Sequence, residues 1–246
     1  MSKPAPSVQL YTVRDAVAEN LQSAVDRVAA AGFTQVEPYG FVDRVDEFIE
    51  AFERNNLTAP TAHAMMVDQD WLPMLAAAQK LGVKTLIDPF TVPERWTNKE
   101  DVLVIAKAIN AIAEAAPDFG LQIAYHNHNW EFANEIDGAP ALYTFIDALN
   151  DDVVLEIDTF WVEVGGQSAP AVLRELGERV VAIHVKDGKK NGDMDAQCPA
   201  GQGEIPVREV LAAAPHAIPV IEFDFYKGGD IFDGIAASLK FVNEAR

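Results

Sequence analysis

The strongest constraint on the fold is the alternation of eight short apolar segments with eight longer segments of helical period. The apolar segments are four to six residues long and predict β-strands at Val8–Tyr11, Gln35–Pro38, Thr58–Ala62, Lys84–Ile87, Gln122–Tyr125, Val153–Ile157, Val180–Val185 and Val220–Phe223. The intervening segments predict helices at Leu21–Ala31, Val45–Asn55, Trp71–Leu81, Asp101–Ala116, Ala139–Leu149, Pro170–Leu176, Val207–Ala214 and Gly234–Glu244. Short apolar strands separated by helices indicate parallel βαβ units with helices on the outside of the sheet.

Eight such units in 246 residues are typical of a closed barrel, which needs about 250 residues. We therefore predict an α/β fold in which residues 1–246 form a single (β/α)₈ TIM barrel. The alternative is a doubly wound open sheet, which usually has fewer strands and a glycine-rich first βα turn. Here that turn, Tyr11–Asp15, contains no glycine.

The charge of the chain excludes several classes of partner. Thirty-eight Asp and Glu outweigh nineteen Lys and Arg, which gives a net charge of −19. A field of this sign repels nucleic acids and anionic membranes. A lone cysteine, Cys198, excludes an internal disulfide or a thiolate metal cluster, and no apolar run is long enough to span a membrane. These features predict a cytoplasmic protein with no nucleic-acid or membrane partner; association into a homo-oligomer stays open.

Polar side chains concentrate at the carboxyl ends of the predicted strands, where barrel enzymes carry their chemistry. Four of the five histidines fall there, and His126, Asp158, His184 and Glu222 come from strands five to eight. Neighbouring strands are about 5 Å apart, so these four side chains can surround one ion. Each of these residues alone also has a purely structural explanation, such as a helix cap or a core histidine. As a set they predict one divalent metal ion, with Mn²⁺, Co²⁺, Mg²⁺, Fe²⁺ and Zn²⁺ as candidates.

The four tryptophans also fall in or beside the βα loops. Trp130 and Trp161 are closest to the predicted ligands, whereas Trp71 and Trp96 are equally well explained by packing of loops onto the barrel rim. An aromatic face beside polar groups suits a sugar ring, which has apolar C–H faces and hydroxyl edges. We therefore expect Trp130 and Trp161 to contact a sugar or cyclitol substrate.

Six segments resemble the xylose isomerase-like TIM-barrel superfamily, in its sugar phosphate isomerase/epimerase branch. They are Val8–Asp15, Tyr125–Phe132, Glu156–Trp161, His184–Asp187, Gly201–Ile205 and Ile221–Glu222, and they run from the first predicted strand to the last. The resemblance implies a metal held by Glu, Asp, His and Glu, and Asp158, His184 and Glu222 match the last three. The first place falls on His126, which removes one of the two opposed glutamates that ketose epimerases use as acid and base. No glycine-rich cradle or cluster of Arg and Lys indicates a phosphate site.

The resemblance suggests proton transfer at a carbon next to a carbonyl, with Glu222 as the general base. Glu131 and Lys186 are candidates for the second acid/base group, although a cap at Glu131 or an ion pair between Lys186 and Asp187 would explain them equally well. We expect His63 and His128 to bind substrate hydroxyls and Arg14 to reach the pocket from the first loop. His128 could instead support a metal ligand.

The leading hypothesis is thus a metal-dependent isomerase or epimerase acting on a sugar, keto-sugar or cyclitol. The same chemistry allows a lyase or hydratase, and sequence does not separate the two. A DNA-repair enzyme of the endonuclease IV type shares the barrel but needs a basic groove, which the charge of −19 opposes. A non-catalytic carbohydrate-binding protein is the remaining alternative, and failure to bind a metal with sugar affinity intact would favour it.

Overall fold

Seven parallel strands form a curled sheet at the centre of the computed structural model, which describes residues 3–246; Met1 and Ser2 of the predicted domain lie outside the described residues. The strands of this sheet are β1 (Ser7–Val8), β2 (Thr61–His63), β3 (Thr85–Asp88), β4 (Gln122–His126), β7 (Val154–Asp158), β8 (Val180–Val185) and β9 (Ile218–Ile221). Two further strands, β5 (Glu135–Ile136) and β6 (Ala139–Pro140), form an antiparallel hairpin outside the sheet. Around the sheet the strand order is β1-β9-β8-β7-β4-β3-β2.

The gap between β1 and β2 is filled by residues 34–39, which take the path predicted for the second strand. Glu37 donates its N–H to Val8 and accepts from Leu10, while Val36 donates to Thr58 on the other side. Parallel bridges at Gln9–Glu37, Gln35–Thr58 and Tyr39–His63 complete the circuit. The chain thus forms a (β/α)₈ barrel, as predicted, although its second member is a set of isolated bridges rather than a regular strand.

Helices cover the outside of the sheet. They are α1 (Arg14–Glu19), α2 (Leu21–Ala30), α3 (Val45–Asn55), α4 (Leu72–Leu81), α5 (Lys99–Ala115), α6 (Trp130–Ala133), α7 (Ala141–Ala148), α8 (Thr159–Val164), α9 (Ala169–Leu176), α10 (Val207–Ala213) and α11 (Ile231–Ala245). Side chains of Asn20 and Asn98 cap α2 and α5 by accepting backbone N–H bonds, and Gly82 ends α4 in the left-handed conformation at φ 83°, which glycine adopts at little cost.

Short elements at the barrel mouth differ from the prediction. The first strand ends at Val8 instead of Tyr11, because Leu10–Val13 forms a 3₁₀ helix whose N-cap, Gln9, accepts the N–H of Tyr11 at 3.0 Å. The helices α1, α6 and α8 lie in the segments just after strands and are too short to show a helical period in the sequence. In the described residues, no helix is long and apolar enough to cross a membrane.

The interior of the barrel is layered because successive strand residues point to opposite faces. On the inward face of β7 the order is Val154, Glu156 and Asp158. Val154 packs with Ile87 and Ala124 in a small apolar cluster of its own, whereas Glu156 and Asp158 are fully buried charged residues above it. An apolar floor therefore carries a charged layer that continues up to the mouth.

Candidate active site

Four buried side chains from three neighbouring strands form what we call the mouth cluster: Asp158, His184, Lys186 and Glu222. Asp158 ends β7, His184 lies in β8 with Lys186 directly after it, and Glu222 follows β9. His184 Nδ1 lies 2.7 Å from Glu222 Oε2 and 3.9 Å from Asp158 Oδ2. Lys186 Nζ lies 2.7 Å from Asp158 Oδ2 and 2.6 Å from Glu222 Oε2. The three carboxylate and imidazole side chains thus converge on one region, which the Lys186 ammonium also contacts.

A second group, the interior cluster, lies beneath it and consists of Glu37, His63, His126 and Glu156. Glu156 Oε2 lies 2.7 Å from His63 Nε2 and 3.0 Å from His126 Nδ1. Glu37 Oε1 lies 3.1 Å from His63 Nε2 and accepts a 2.9 Å hydrogen bond from the amide of Gln9. All four members of the interior cluster are at least nine-tenths buried, so their charges are compensated by one another.

His184 joins the two clusters. Its Nδ1 faces the mouth cluster, while its Nε2 lies 2.8 Å from Glu37 Oε1 and 3.1 Å from Glu156 Oε2. An imidazole that ligates a metal through one nitrogen commonly donates the other N–H to a carboxylate, which fixes the ring and its tautomer. The interior cluster supplies that support to His184.

Protonation in the interior cluster is governed by its two carboxylates. Burial lowers the pKa of His63, but Glu37 and Glu156 outweigh it and raise the pKa to about 10. Burial and the neighbouring His184 together keep the pKa of His126 well below its usual value. His63 is therefore an imidazolium between two carboxylates, and His126 stays neutral with a free electron pair for a proton or a metal.

In the mouth cluster, burial and ion pairing shift pKa values in opposite directions. Burial raises the pKa of Asp158 to about 6 despite Lys186. Burial also raises the pKa of Glu222, but Lys186 and His184 outweigh it and hold the pKa well below the usual range. Burial lowers the pKa of Lys186, yet Asp158, Asp224 and Glu222 raise it well above the usual value. Lys186 is thus a cation and Glu222 an anion at neutral pH.

The loop after β8 positions Lys186 through its neighbour Asp187. The Asp187 carboxylate accepts backbone N–H bonds from Gly188, Gly201, Gly203 and Ile205 at 2.8–3.1 Å. A Cβ at Gly203 would collide with this carboxylate, so the close approach requires glycine there. The two sequence segments His184–Asp187 and Gly201–Ile205 therefore form one structural unit.

Comparison with known proteins identifies the family to which this barrel belongs. A family model described as a xylose isomerase-like TIM barrel matches residues 25–218. The chain belongs to the xylose isomerase-like TIM-barrel family. The resemblance drawn from the sequence motifs is confirmed, and structures from the sugar phosphate isomerase/epimerase branch are among its neighbours.

Individual relatives are more distant. The chain is similar to an inosose dehydratase of Clostridium beijerinckii, with 26% identity over 99 residues; the match covers 40% of this chain and only 33% of that protein. It is similar to the structure of a sugar phosphate isomerase/epimerase from Parabacteroides distasonis, with 17% identity, a TM-score of 0.80 and coverage of 98% of this chain and 97% of that one. It is also similar to the structure of a protein named IolI with a bound zinc atom, with 14% identity, a TM-score of 0.70 and coverage of 98% and 96%. The two structural likenesses show the shared fold alone.

The donor atoms of the predicted metal ligands fall into two sets in this member of the family. Those of Asp158, His184 and Glu222 lie within 4.8 Å of one another, as do those of His63, His126, Glu156 and His184. His126 Nε2 is 3.8 Å from Asp158 Oδ2, so His126, a member of the second set, also approaches the first. The structure thus brings three of the four predicted ligands together and places His126 at their edge.

A cavity of about 680 Å³ opens above both clusters. Its walls include five of the residues discussed above: His63, His126, His128, Lys186 and Glu222. The His128 ring stacks on Trp130, with centroids 4.4 Å apart and planes 5° from parallel. Trp161 is only 8% exposed and lies beside Lys186, whose Nζ is 5.7 Å from the ring centroid. The indole N–H groups of Trp130 and Trp161 and the Nδ1 of His128 are buried without a hydrogen-bond partner.

Four of the predicted substrate-binding and acid/base residues do not line this cavity: Trp130, Trp161, Glu131 and Arg14. Glu131 is fully buried, accepts a 3.0 Å hydrogen bond from Tyr125 Oη and accepts the N–H of His128 at 2.9 Å. Burial raises its pKa to about 8. Arg14 donates to the backbone carbonyl of Asp224 at 2.9 Å and lies over the Tyr11 ring. The structure thus places Glu131 beneath the fifth loop and Arg14 against the eighth.

Three charged residues of the site had no predicted role: Glu156, which lies inside a predicted strand, and Glu37 and Asp224, which fall at predicted strand ends. Asp224 lies 3.0 Å from Lys186 Nζ and also accepts from the Gln197 amide. The signal for Glu156 is present in the sequence, since it is a charge inside an apolar strand and two residues before Asp158. A buried charge must be paired, and the period of two puts it on the same inward face as Asp158.

Proposed function

We propose that this chain is a divalent-metal-dependent enzyme that transfers a proton at a carbon next to a carbonyl of a sugar, keto-sugar or cyclitol. The observation that carries the proposal is the position of His184, with Nδ1 between Asp158 and Glu222 and Nε2 held by Glu37. This is a ligand set with its supporting carboxylate already in place.

The donor set fits an ion of this class. Metal–ligand bonds of about 2.0–2.2 Å place neighbouring donor atoms roughly 3–3.5 Å apart, and the distances from His184 Nδ1 to Glu222 and Asp158, 2.7 and 3.9 Å, fall on either side of that range. Asp158 Oδ2 is buried and ion-paired to Lys186 Nζ at 2.7 Å, and no described residue makes a well-aligned hydrogen bond to it. Asp158, His184 and Glu222 would hold the ion, and His126, whose Nε2 lies 3.8 Å from Asp158 Oδ2, would be a fourth donor. Such an ion supplies Lewis acidity toward a carbonyl oxygen.

The residues of the chain have separable roles in this chemistry. Glu222 is ionised and lines the cavity, so it can accept the proton from carbon. Lys186 is protonated and can donate a proton or stabilise negative charge, but it cannot act as a base. His63 and His128 line the same cavity and would hydrogen-bond substrate hydroxyls. Glu131, held away from the cavity, would position His128.

Metal analysis tests the site directly. We expect one ion per chain, weakened binding in Asp158→Asn and His184→Ala, and unchanged binding in His216→Ala, a histidine that lies outside both clusters and bonds the backbone of Val180. Equal stoichiometry and affinity in all three variants would refute the ligand assignment.

Exchange of substrate hydrogen with solvent tests the chemistry. Metal-loaded protein is incubated in D₂O with ketohexoses, aldohexoses, 3-keto-hexosides and inososes. We expect deuterium uptake with at least one of them, reduced roughly 10²–10⁴-fold in metal-loaded Glu222→Gln and unchanged in Glu175→Gln, which alters an exposed carboxylate. Sugar binding with no exchange in any case would favour a carbohydrate-binding protein.

A dehydratase or lyase is the second candidate, because the curated relative is named an inosose dehydratase. The two reactions share the proton abstraction by Glu222 and differ in the step after it. Deuterium uptake without loss of water or of a substituent indicates isomerisation or epimerisation. Formation of an ultraviolet-absorbing enone indicates elimination. The cytoplasmic location and the homo-oligomer remain predictions.

A further inference from the structure

The cavity above the two clusters has two chemically different walls. The end of β4 and the loops after β4, β8 and β9 contribute the polar wall: His126, His128, Lys186, Glu222 and Asp224. The first four βα loops and the start of α4 contribute the other wall, which is mostly apolar and includes Tyr11, Tyr39, Val42, Met65, Met74 and Phe90. The apolar wall comes from the first half of the barrel and the polar wall from the second half. A ligand that fills the cavity therefore contacts both walls.

Several large apolar side chains of this wall are exposed to solvent. Met65 is 58% exposed, Tyr11 42% and Phe90 38%. Tyr11 and Tyr39 pack edge to face with centroids 5.2 Å apart, and Arg14 covers one face of the Tyr11 ring, so a ligand would contact the remaining ring surface. Large apolar side chains in a concave site gain stability when a ligand removes them from water, and methionine adapts its shape to such a ligand.

Phe90 marks the boundary between the two walls. Its ring stands nearly perpendicular to both His128 and Trp130, at 5.6 Å from each centroid. In the proposed function a sugar ring lies against His128, so a substituent on that ring can reach Phe90, which stands against the same imidazole. A volume of about 680 Å³ falls within the range of roughly 300–1,000 Å³ typical of sites for drug-sized ligands. A hexose alone leaves the apolar wall in water.

We propose that the substrate is a keto-sugar that carries an aromatic substituent, such as the keto form of an aryl glycoside, with the aryl ring on the apolar wall. The proposal rests on the proposed function for the placement of the sugar ring, and adds the class of substrate. Aromatic and not alkyl substituents are favoured because three of the wall residues are rings, which pack edge to face or offset with another ring.

The test is a calorimetric titration of Mn²⁺-loaded protein with paired methyl and phenyl β-glycosides of glucose, galactose and xylose. These compounds lack the ketone and serve as non-reacting probes of where the substituent binds. We expect at least one phenyl glycoside to bind about 10- to 100-fold more tightly than its methyl partner, as burial of one aromatic ring predicts. In Met65→Ser and Phe90→Ser this ratio should fall several-fold, with each variant's methyl glycoside as its own reference. Leu103→Ser is the matched control, because Leu103 is 41% exposed on α5 and does not line the cavity.

Equal affinity within every pair, or no binding by any glycoside, would overturn the proposal. A phenyl preference that survives both wall variants would also overturn it, because the ring would then bind elsewhere. An octyl glycoside that binds more tightly than the phenyl compound would replace the aromatic substituent with a lipid-like one. These results are independent of metal stoichiometry and deuterium exchange, so the substrate class can fail while the proposed function stands, and the reverse.

Discussion

Replacement of Lys186 by methionine removes a cation that contacts three carboxylates of the site. Lys186 Nζ lies 2.7 Å from Asp158, 2.6 Å from Glu222 and 3.0 Å from Asp224, and the side chain is almost completely buried. Methionine keeps most of the volume of the aliphatic stem and removes the charge. The carboxylates are then left close together with His184 as their remaining cationic neighbour. Burial lowers the pKa of His184, but Glu156 and Glu222 outweigh it and raise the pKa well above its usual value.

The loss of stability in Lys186→Met depends on the free-energy cost of breaking a buried ion pair. Removal of one partner typically costs about 3–5 kcal/mol, since it leaves a buried charge uncompensated. We therefore expect metal-free Lys186→Met to lose about 3–5 kcal/mol of unfolding free energy. Part of this loss is relieved if Asp158 takes up a proton, because burial already raises its pKa to about 6. A divalent cation would replace the missing charge, so Mn²⁺ should stabilise the variant more than it stabilises the wild type.

Urea denaturation in EDTA and again with Mn²⁺ measures both quantities. Lys186→Arg keeps the charge and should remain closer to the wild type than Lys186→Met does. Lys99→Met is the matched control, because Lys99 pairs with Asp137 at 2.7 Å on the surface, where ion pairs contribute little. Wild-type stability of Lys186→Met in EDTA would refute the argument that this ammonium compensates the cluster.

Two further predictions concern groups outside the mouth cluster. Glu37→Gln should weaken Mn²⁺ binding about 10- to 100-fold because Glu37 orients His184. Electron paramagnetic resonance of free Mn²⁺ measures the affinity. An unchanged affinity would mean that Glu37 has a packing role and does not orient the ligand. Burial raises the pKa of Glu131 from 4.5 to about 8. Between pH 4.5 and pH 8 the Glu131 carboxyl is therefore protonated in the folded chain and ionised in the unfolded chain. Wild-type unfolding free energy should therefore fall from pH 5 to pH 8 more steeply than that of Glu131→Gln, and parallel urea midpoints at the two pH values would contradict the shift.

The barrel was predictable because its signal repeats eight times. Each repeat has an apolar strand and a periodic helix, and an error in one unit leaves the others intact. The second unit shows the limit: residues 34–39 hydrogen-bond to both neighbours yet form only isolated bridges. Pro38 has no N–H to donate, so the pairing there is short, and sequence patterns do not separate such a segment from a regular strand.

Residues at strand ends were predictable as a group, but their contacts were not. His126, His184 and Glu222 lie at the predicted face, because strand position alone brings them there. Whether an end residue lines the cavity depends on the loop after it, and the sequence does not give the loop's path. Glu131 shows this, since α6 turns its carboxylate under the loop to Tyr125 and away from substrate.

The interior cluster gives a physical reason for a histidine at position 126, where the resemblance of the sequence motifs implies a glutamate. With Glu156 and Glu37 both buried beside His184, a further glutamate at position 126 would add a third negative charge to a layer that His63 and His184 neutralise. A histidine there bonds Glu156 through Nδ1 and keeps Nε2 directed toward Asp158 at 3.8 Å. Position 126 can therefore contribute a neutral donor to the metal while its charge stays compatible with the layer below. His126→Glu should accordingly destabilise the otherwise wild-type protein. It should cost less stability in a Glu156→Gln background, because that substitution removes the negative charge that repels the new carboxylate. Equal destabilisation in the two backgrounds, measured by urea denaturation, would show that the charge of the interior cluster does not select histidine.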